Sequence, residues 1–190
     1  MPMMVCMSDD QFEDVLAAAQ GGDESSFAQL WRDLNPRLLR YLHTIAPSAA
    51  ADLASETWLQ VIRSLKDFEG DEAAFRGWIF TVARNKVVDA GRRERRRPRA
   101  THDDSALDRV AAPHDTALLA MENISTDAAL ALIATLPHDQ ADVILLRVVA
   151  GLDAITVAAM VGKSPGAVRV AAHRGLRRLQ ALVDRSAVTL

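Results

Sequence analysis

FRGWIFTVARNKVVDAGRRERRR, residues 75–97, decides how the chain is read. Apolar residues recur at Phe75, Trp78, Ile79, Val82, Ala83, Val87 and Ala90, the three-and-four spacing of one helix face. At about 100° per residue, Gly77, Thr81, Arg84, Val88 and Arg92 fall on the opposite side. The spacing predicts a helix that buries one face, with Trp78 in the core, and keeps the other face for something else. Lys86 falls inside the apolar stripe and must snorkel or pair, with Asp89 or with a phosphate. The helix then runs into Arg92, Arg93, Arg95, Arg96, Arg97 and Arg99, interrupted by Glu94 and Pro98. Fixed positive charge after a packed helix suits a polyanion, because each guanidinium can neutralise a phosphate and release counterions. An amphipathic core helix followed by a solvated basic tail gives the same pattern, so this stretch alone leaves both readings open.

The rest of the chain narrows the class. Its 190 residues give room for one or two domains. Apolar residues make up 49% and aromatics only 5%, with alanine and leucine dominant, which favours helices. No long alternating run of β-branched and aromatic residues signals a strand. The expected class is all-α. The net charge of −3 does not itself suggest a nucleic-acid binder. Its distribution does: acidic residues gather at 8–23, 67–72 and 103–115, and arginines at 92–99 and 169–178, so local potentials differ from the sum. One cysteine, Cys6, excludes a disulfide within the chain and suits a reducing cytoplasm. Five scattered histidines lack a Cys partner or HExxH spacing, so no metal site or other cofactor is expected. No apolar run approaches the length of a membrane span, and residues 1–7 are too short for a secretion signal. The expected location is cytoplasmic, without membrane insertion.

Taken in order, Ser8 and Gln11 form a capping-box pattern ahead of a helix over 9–20, stopped by Gly21 and Gly22. Asp23 caps a second helix striped by Phe27, Leu30, Trp31, Leu34, Leu38, Leu39, Leu42 and Ile45. Pro36 inside it predicts a kink or two abutting helices, and Trp31 and Tyr41 are expected in or beside the core. A third helix, 49–65, turns Leu53, Ala54, Trp58, Val61, Ile62 and Leu65 inward and Asp52, Ser55, Glu56, Gln60 and Arg63 outward. Phe68 stands alone in a charged connector, either folded back on the core or offered as a stacking surface for an unpaired base. Residues 98–125 read as a flexible linker, helical only weakly at 107–110 and 117–121. The expected domains are thus 1–97 and 126–190.

The second domain begins with helices over 126–136 and 137–150, the latter apolar at Val143, Ile144, Leu145, Leu146, Val148 and Val149 and ended by Gly151. Asp153 caps a short helix, 154–161, with Ile155, Val157, Ala158 and Val161 apolar. Gly162-Lys163-Ser164 then forms a tight turn, Ser164 caps, and Pro165 takes the first helical position. The last helix, 166–183, turns Val168, Ala171, Ala172, Leu176, Leu179 and Leu182 inward. Short helix, glycine turn and capped second helix make a helix-turn-helix. Its second helix presents Arg169, His173, Arg174, Arg177 and Arg178, with 169, 173 and 177 on one side, where an arginine can meet acceptors on a base edge. Lys163 and the N–H groups near Ser164 suit a phosphate. No nucleophile–base pair, glycine-rich phosphate loop or metal spacing supports an enzyme.

Five blocks, FAQLWRDLNPRLLRYL, DLASETWLQV, DFEGDEAAFRGWIFTVARNKVVDAGRR, LIATLPHDQADVILLRVVAGL and VAAMVGKSPGAVRVAAHRGLRRL, resemble in order the small extracytoplasmic-function sigma factors of bacterial RNA polymerase. The resemblance implies that residues 1–97 form a region 2 domain and residues 126–190 a region 4 domain. It implies that Asp52, Glu56 and Gln60 grip the largest subunit of core RNA polymerase; the chain has Ser55 where the family usually has glutamine. It implies that Phe68 and the helix after it open the minus-ten promoter element, with Arg76, Arg84, Asn85 and Lys86 as DNA contacts and Arg92, Arg93 and Arg96 on the backbone. The helix-turn-helix would read the minus-thirty-five element through Lys163, Ser164, Arg169, His173, Arg174 and Arg177. Val170, Ala171 and Ala172 stand where the family often carries Ser, Arg and Leu. Promoter DNA and core polymerase are the implied partners, an anti-sigma factor the implied inhibitor. The rival reading is a helix-turn-helix regulator that acts without polymerase.

Overall fold

The computed structural model describes residues 9–96 and 117–187. Among them all regular structure is helical: α1 (Asp9–Gln20), α2 (Glu24–Ile45), α3 (Ala50–Ser64), α4 (Glu72–Arg96), α5 (Ala117–Ala134), α6 (His138–Ile144), α7 (Ala154–Val161) and α8 (Pro165–Ala187). Single 3₁₀ turns at Pro47–Ala49 and Leu65–Asp67 flank α3. Ser8, Cys6 and residues 97–116 lie outside the described residues, and so do the capping box and most of the expected linker. α5 begins at Ala117, within the expected linker of 98–125 and at the stretch, 117–121, that the sequence reads as weakly helical.

α1 to α4 enclose one core. Phe12, Leu30, Leu38, Tyr41, Leu42, Val61, Phe75, Ile79 and Phe80 are buried in it, with Phe12, Phe68, Phe75 and Trp78 in edge or stacked contact. Asp23 caps α2 by accepting the Ser26 N–H at 2.8 Å. Pro36 neither splits nor ends α2, which runs on through it as one helix. Of the two aromatics expected in the core or half-buried, Tyr41 is fully buried and Trp31 is 40% exposed, because burial follows Leu30, Leu34, Leu38 and Tyr41. On α3 the inward position expected for Ile62 belongs instead to Thr57. Its hydroxyl donates to the Leu53 carbonyl at 2.6 Å and so is buried without an unmet hydrogen bond, while Ile62 is half exposed.

α5 to α8 enclose a second core. α6 continues into one wide π turn, Leu145–Val149, closed by the Ala150 N–H donating to the Leu145 carbonyl at 3.0 Å. The extra residue rotates the helix face, so Leu145 and Leu146 are buried whereas Val148, apolar like them, is exposed. Asp153 caps α7 through the Ile155 and Thr156 N–H groups at 2.7 and 2.9 Å. Gly162 supplies the left-handed turn at φ 67°, and Ser164 Oγ accepts the Ala167 N–H at 3.2 Å. α8 packs on α6 through Val168 and Gly175, where an added Cβ would sit 2.5 Å from Ile144 Cδ1. That close approach turns the next residue, Leu176, out to solvent, against expectation; Ile155 on α7 is likewise exposed.

Candidate polymerase and nucleic-acid interface

The face of α4 expected to be left over is not left over. Gly77 and Arg84 meet the second domain. Arg84 Nε donates to Asp142 Oδ2 at 2.9 Å, and Arg84 Nη1 donates to the Met160 carbonyl at 2.9 Å. The Tyr41 hydroxyl donates to the other oxygen, Asp142 Oδ1, at 3.0 Å. Asp142 is only 4% exposed, in a run whose neighbours Ala141, Val143 and Ile144 are also buried. A carboxylate there needs partners, and the first domain supplies them. Burial, then the adjacent carboxylate, raises the Tyr41 hydroxyl well above its ordinary value. This two-sided packing also explains Phe80, which the apolar spacing missed. It is fully buried against Tyr41, ring centroids 5.6 Å apart.

The five residues expected at the minus-ten element are divided among four places. Phe68 is folded back. Its ring stacks on Trp78 at 5.1 Å and abuts Phe75 at 5.2 Å, beside a shallow hollow of about 380 Å³ lined by Ser64, Asp67, Glu69 and Trp78. Two features hold that loop. Gln20 Nε2 donates to the Leu65 and Phe68 carbonyls at 2.9 and 2.8 Å, and Gly70 takes φ 147°, with Phe68 Cζ 3.2 Å from where a Cβ would lie. Gln20 was missed because its partners lie 45 and 48 residues away and carry no periodic signature. Arg76 and Arg84 turn towards the second domain. Arg76 pairs with Glu72 at 3.6 Å and lines a cleft of about 530 Å³ shared with Gly151, Leu152, Asp153 and Thr156. Asn85 is exposed. Lys86 pairs with Glu56 at 3.3 Å, not with Asp89, whose partner is Arg92 at 3.5 Å.

Asp52, Glu56 and Gln60 recur four apart along the exposed side of α3 and share it with Leu59 and Ile62, 52% and 50% exposed. Leu59 went unread because it follows Trp58 directly and so falls off the buried stripe. Arg92 and Arg93 are exposed near the end of α4; the Arg96 side chain lies outside the described residues. On the helix-turn-helix, Arg169, His173, Arg174 and Arg177 are all exposed on α8. Lys163 approaches Asp139 at 3.3 Å, and Arg178 Nη1 donates to Gln140 Oε1 at 3.0 Å, which ties it back to α6. Among the described residues no cluster of His, Cys, Asp and Glu is arranged to hold a metal, and no helix is long and apolar enough to cross a membrane.

Residues 30–97 match the family described as Sigma-70 region 2, and residues 126–179 match Sigma-70, region 4. The ECF RNA polymerase sigma factor ShbA of Streptomyces griseus subsp. griseus is 36% identical over 86% of this chain and 90% of its own length. The ECF RNA polymerase sigma factor SigD of Mycobacterium tuberculosis is 33% identical over 92% of this chain and 84% of its own. Two solved structures share the fold at 22% identity. RpoE of Bartonella quintana, solved with the anti-sigma factor NepR, has a TM-score of 0.63 over 83% of this chain and 96% of that one. CnrH, solved with the cytosolic domain of CnrY, has a TM-score of 0.60 over 90% and 96%. With both regions present in order on one chain, and with relatives at this identity along most of it, the chain belongs to the ECF group of sigma-70 RNA polymerase sigma factors.

Proposed function

We propose that this sigma factor binds core RNA polymerase through the outer face of α3 and reads a promoter at two points with its two domains. The observation that carries this is the succession of region 2 over 30–97 and region 4 over 126–179 on one chain. Asp52, Glu56 and Gln60 make the polar part of the polymerase face, and Leu59 and Ile62 add the apolar area that a stable contact needs. Arg169, His173, Arg174 and Arg177 enter the major groove at the minus-thirty-five element, with Lys163 and the Ser164 end of α8 on the phosphates. Phe68, Arg76, Arg84, Asn85 and Lys86 act at the minus-ten element, and Arg92, Arg93 and Arg96 on the neighbouring backbone.

Each domain alone offers few contacts, so specificity comes from tethering both to one polymerase, where the second contact forms at high effective concentration. Strand opening then needs only the trapping of unpaired bases, with no catalytic step by this chain. The work is done in the cytoplasm. An anti-sigma protein is the expected inhibitor, by analogy with RpoE, which was solved bound to the anti-sigma factor NepR.

The test is run-off transcription with core polymerase. Promoter-specific RNA that depends on this chain supports the reading, and Asp52→Ala with Glu56→Ala should weaken core binding at least tenfold. Specific binding to duplex promoter DNA in the absence of polymerase, with no effect on initiation, would instead favour the regulator reading.

A further inference from the structure

We propose that Gln20 is a positioning residue for the minus-ten step: its carboxamide fixes Phe68 on Trp78 and so sets how sharply the chain discriminates among the unpaired bases it traps. The functional half rests on the reading of Phe68 as a minus-ten residue; the fixing of the loop does not. Gln20 is the last residue of α1 and lies ahead of residues 30–97, the stretch that matches region 2. α1 is seated in the first core by Phe12, Leu16 and Ala19, and the Phe12 ring lies 5.6 Å from Phe75, so the end of the helix is a firm base. From there Nε2 donates to the Leu65 carbonyl at 2.9 Å and to the Phe68 carbonyl at 2.8 Å. A carboxamide nitrogen carries two N–H groups, and both go to this one loop. The two acceptors bracket the 3₁₀ turn Leu65–Asp67, which closes when the Phe68 N–H donates to the same Leu65 carbonyl at 3.1 Å.

The place of the ring gives this fixing its consequence. Phe68 has extended backbone, φ −79° and ψ 130°, and is half-buried. Its ring stacks on Trp78, also half-buried, with 21° between the planes. The pair sits at the edge of the hollow bounded by Ser64, Asp67 and Glu69. Gly70 limits the loop from the other side, because a Cβ there would sit 2.8 Å from Ala74 Cβ and 3.2 Å from Phe68 Cζ. A free loop would mould its ring to any base and would have to order itself each time. A loop ordered beforehand presents one surface, and a base that does not match it finds no other shape to occupy. Stacking alone is available to every base, since each has a π face. Discrimination therefore depends on the two N–H donors of Gln20 more than trapping itself does.

Gln20→Met and Gln20→Lys test it in the full-length chain, with far-UV circular dichroism as the check on folding. Methionine keeps the length and helix propensity of glutamine but has no N–H, whereas lysine keeps a donor of similar reach. Should Gln20→Met fail to fold, Gln20→Asn takes its place, because its amide falls one methylene short of the two carbonyls. Hydrogen exchange followed by mass spectrometry comes first and needs no polymerase. In Gln20→Met, exchange at 65–70 should be about tenfold faster than in wild type, with α2 unchanged. Gln20→Lys should stay within about threefold of wild type. Run-off transcription by the holoenzyme then compares promoters that differ in one minus-ten base at a time. At the most selective position, the ratio of RNA from the best base to the worst should fall at least about fivefold in Gln20→Met and be kept in Gln20→Lys. Unchanged exchange in Gln20→Met overturns the proposal, and so does faster exchange with the base preference of wild type. A Gln20→Lys chain that loses preference as fully as Gln20→Met overturns it too. A wild type that supports no promoter-specific RNA counts against the proposed function, and the exchange result still decides whether Gln20 fixes the loop.

Discussion

Arg84 and Asp142 stand 58 residues apart in the chain and 2.9 Å apart in the fold. Each comes from a different domain, and each sits where its own domain offers little to neutralise it. Asp142 is surrounded by the apolar side of α6, and Arg84 lies on the side of α4 away from the first core. The contact explains why a carboxylate is tolerated among buried alanine, valine and isoleucine.

Tyr41 is the only tyrosine in the chain, so its ionisation reports on this contact directly. Burial first, and then the Asp142 carboxylate, raise its hydroxyl above the ordinary value of about 10. A group whose folded-state value is raised contributes fully below its unfolded value, and the contribution is lost as the pH rises from about 10 towards the folded value. Ultraviolet titration should therefore show no tyrosinate in the wild type until it unfolds in strong alkali. Gly77→Gln, whose side chain would meet Thr156 where the two domains touch, is expected to part them, expose the hydroxyl and move the transition down towards about 10. An intact wild type that titrates near 10 would contradict the packing.

The second domain depends on the missing side chain at position 175. Gly175→Leu places a branched chain where Ile144 Cδ1 already lies and should separate α8 from α6. Overpacking of this kind costs about 1–3 kcal/mol, of which the better helix propensity of leucine recovers no more than about 1. Thermal denaturation followed by circular dichroism should show a lowered midpoint. A Tm equal to wild type would mean that α8 does not pack on α6 this closely.

Asp153 should matter to the helix-turn-helix out of proportion to its exposure. Its carboxylate accepts two N–H groups and the Thr156 hydroxyl, and these hydrogen bonds hold it below the usual carboxylate range. Asp153→Ala is expected to cost about 1 kcal/mol, the usual loss for an N-cap. Urea denaturation of the full chain reads it, with an unchanged midpoint as the contrary result.

Arg169 and Lys163 should separate base reading from phosphate contact. Arg169→Ala is expected to cost about 1–3 kcal/mol on the best minus-thirty-five sequence and to relax preference at one position. Lys163→Ala should weaken all sequences alike and reduce the slope of log affinity against log salt by about 1. Holoenzyme binding across a salt series distinguishes the two patterns, and identical behaviour of the two variants would refute the assigned docking.

Local signals in the sequence carried much of the fold. Asp23, Asp153 and the Gly162–Ser164 turn state where helices begin and stop, and caps are decided by neighbours within a few residues. The apolar period placed α2 to α4 and α6 to α8 for the same reason. What escaped was set by distant partners. Asp142 gave no sign of its role, because Tyr41 lies 101 residues away. Phe80 and Gly77 read as off-stripe residues only because a helix buried on two sides does not keep a single apolar face. Val148 and Leu176 were displaced by a π turn and by a glycine contact, neither of which the apolar period encodes. The candidate site was legible as a set of residue types on helix faces. Its division between exposed positions and positions held at the domain contact was not.

A disulfide across Gly77 and Thr156 tests whether the two domains can stay in contact while this sigma factor works. The 3.2 Å between a Cβ at 77 and Thr156 Cγ2 is close to the roughly 3 Å that a disulfide spans from one Cβ to the far sulfur. With Cys6→Ser as background, the Gly77→Cys and Thr156→Cys chain can be oxidised or reduced and added to core polymerase on one promoter. The oxidised chain should give only background run-off RNA, and a reductant should restore initiation to the level of the Cys6→Ser chain. Equal initiation by the oxidised and reduced chains, with the cross-link verified, would contradict the claim that the domains must part for this sigma factor to work.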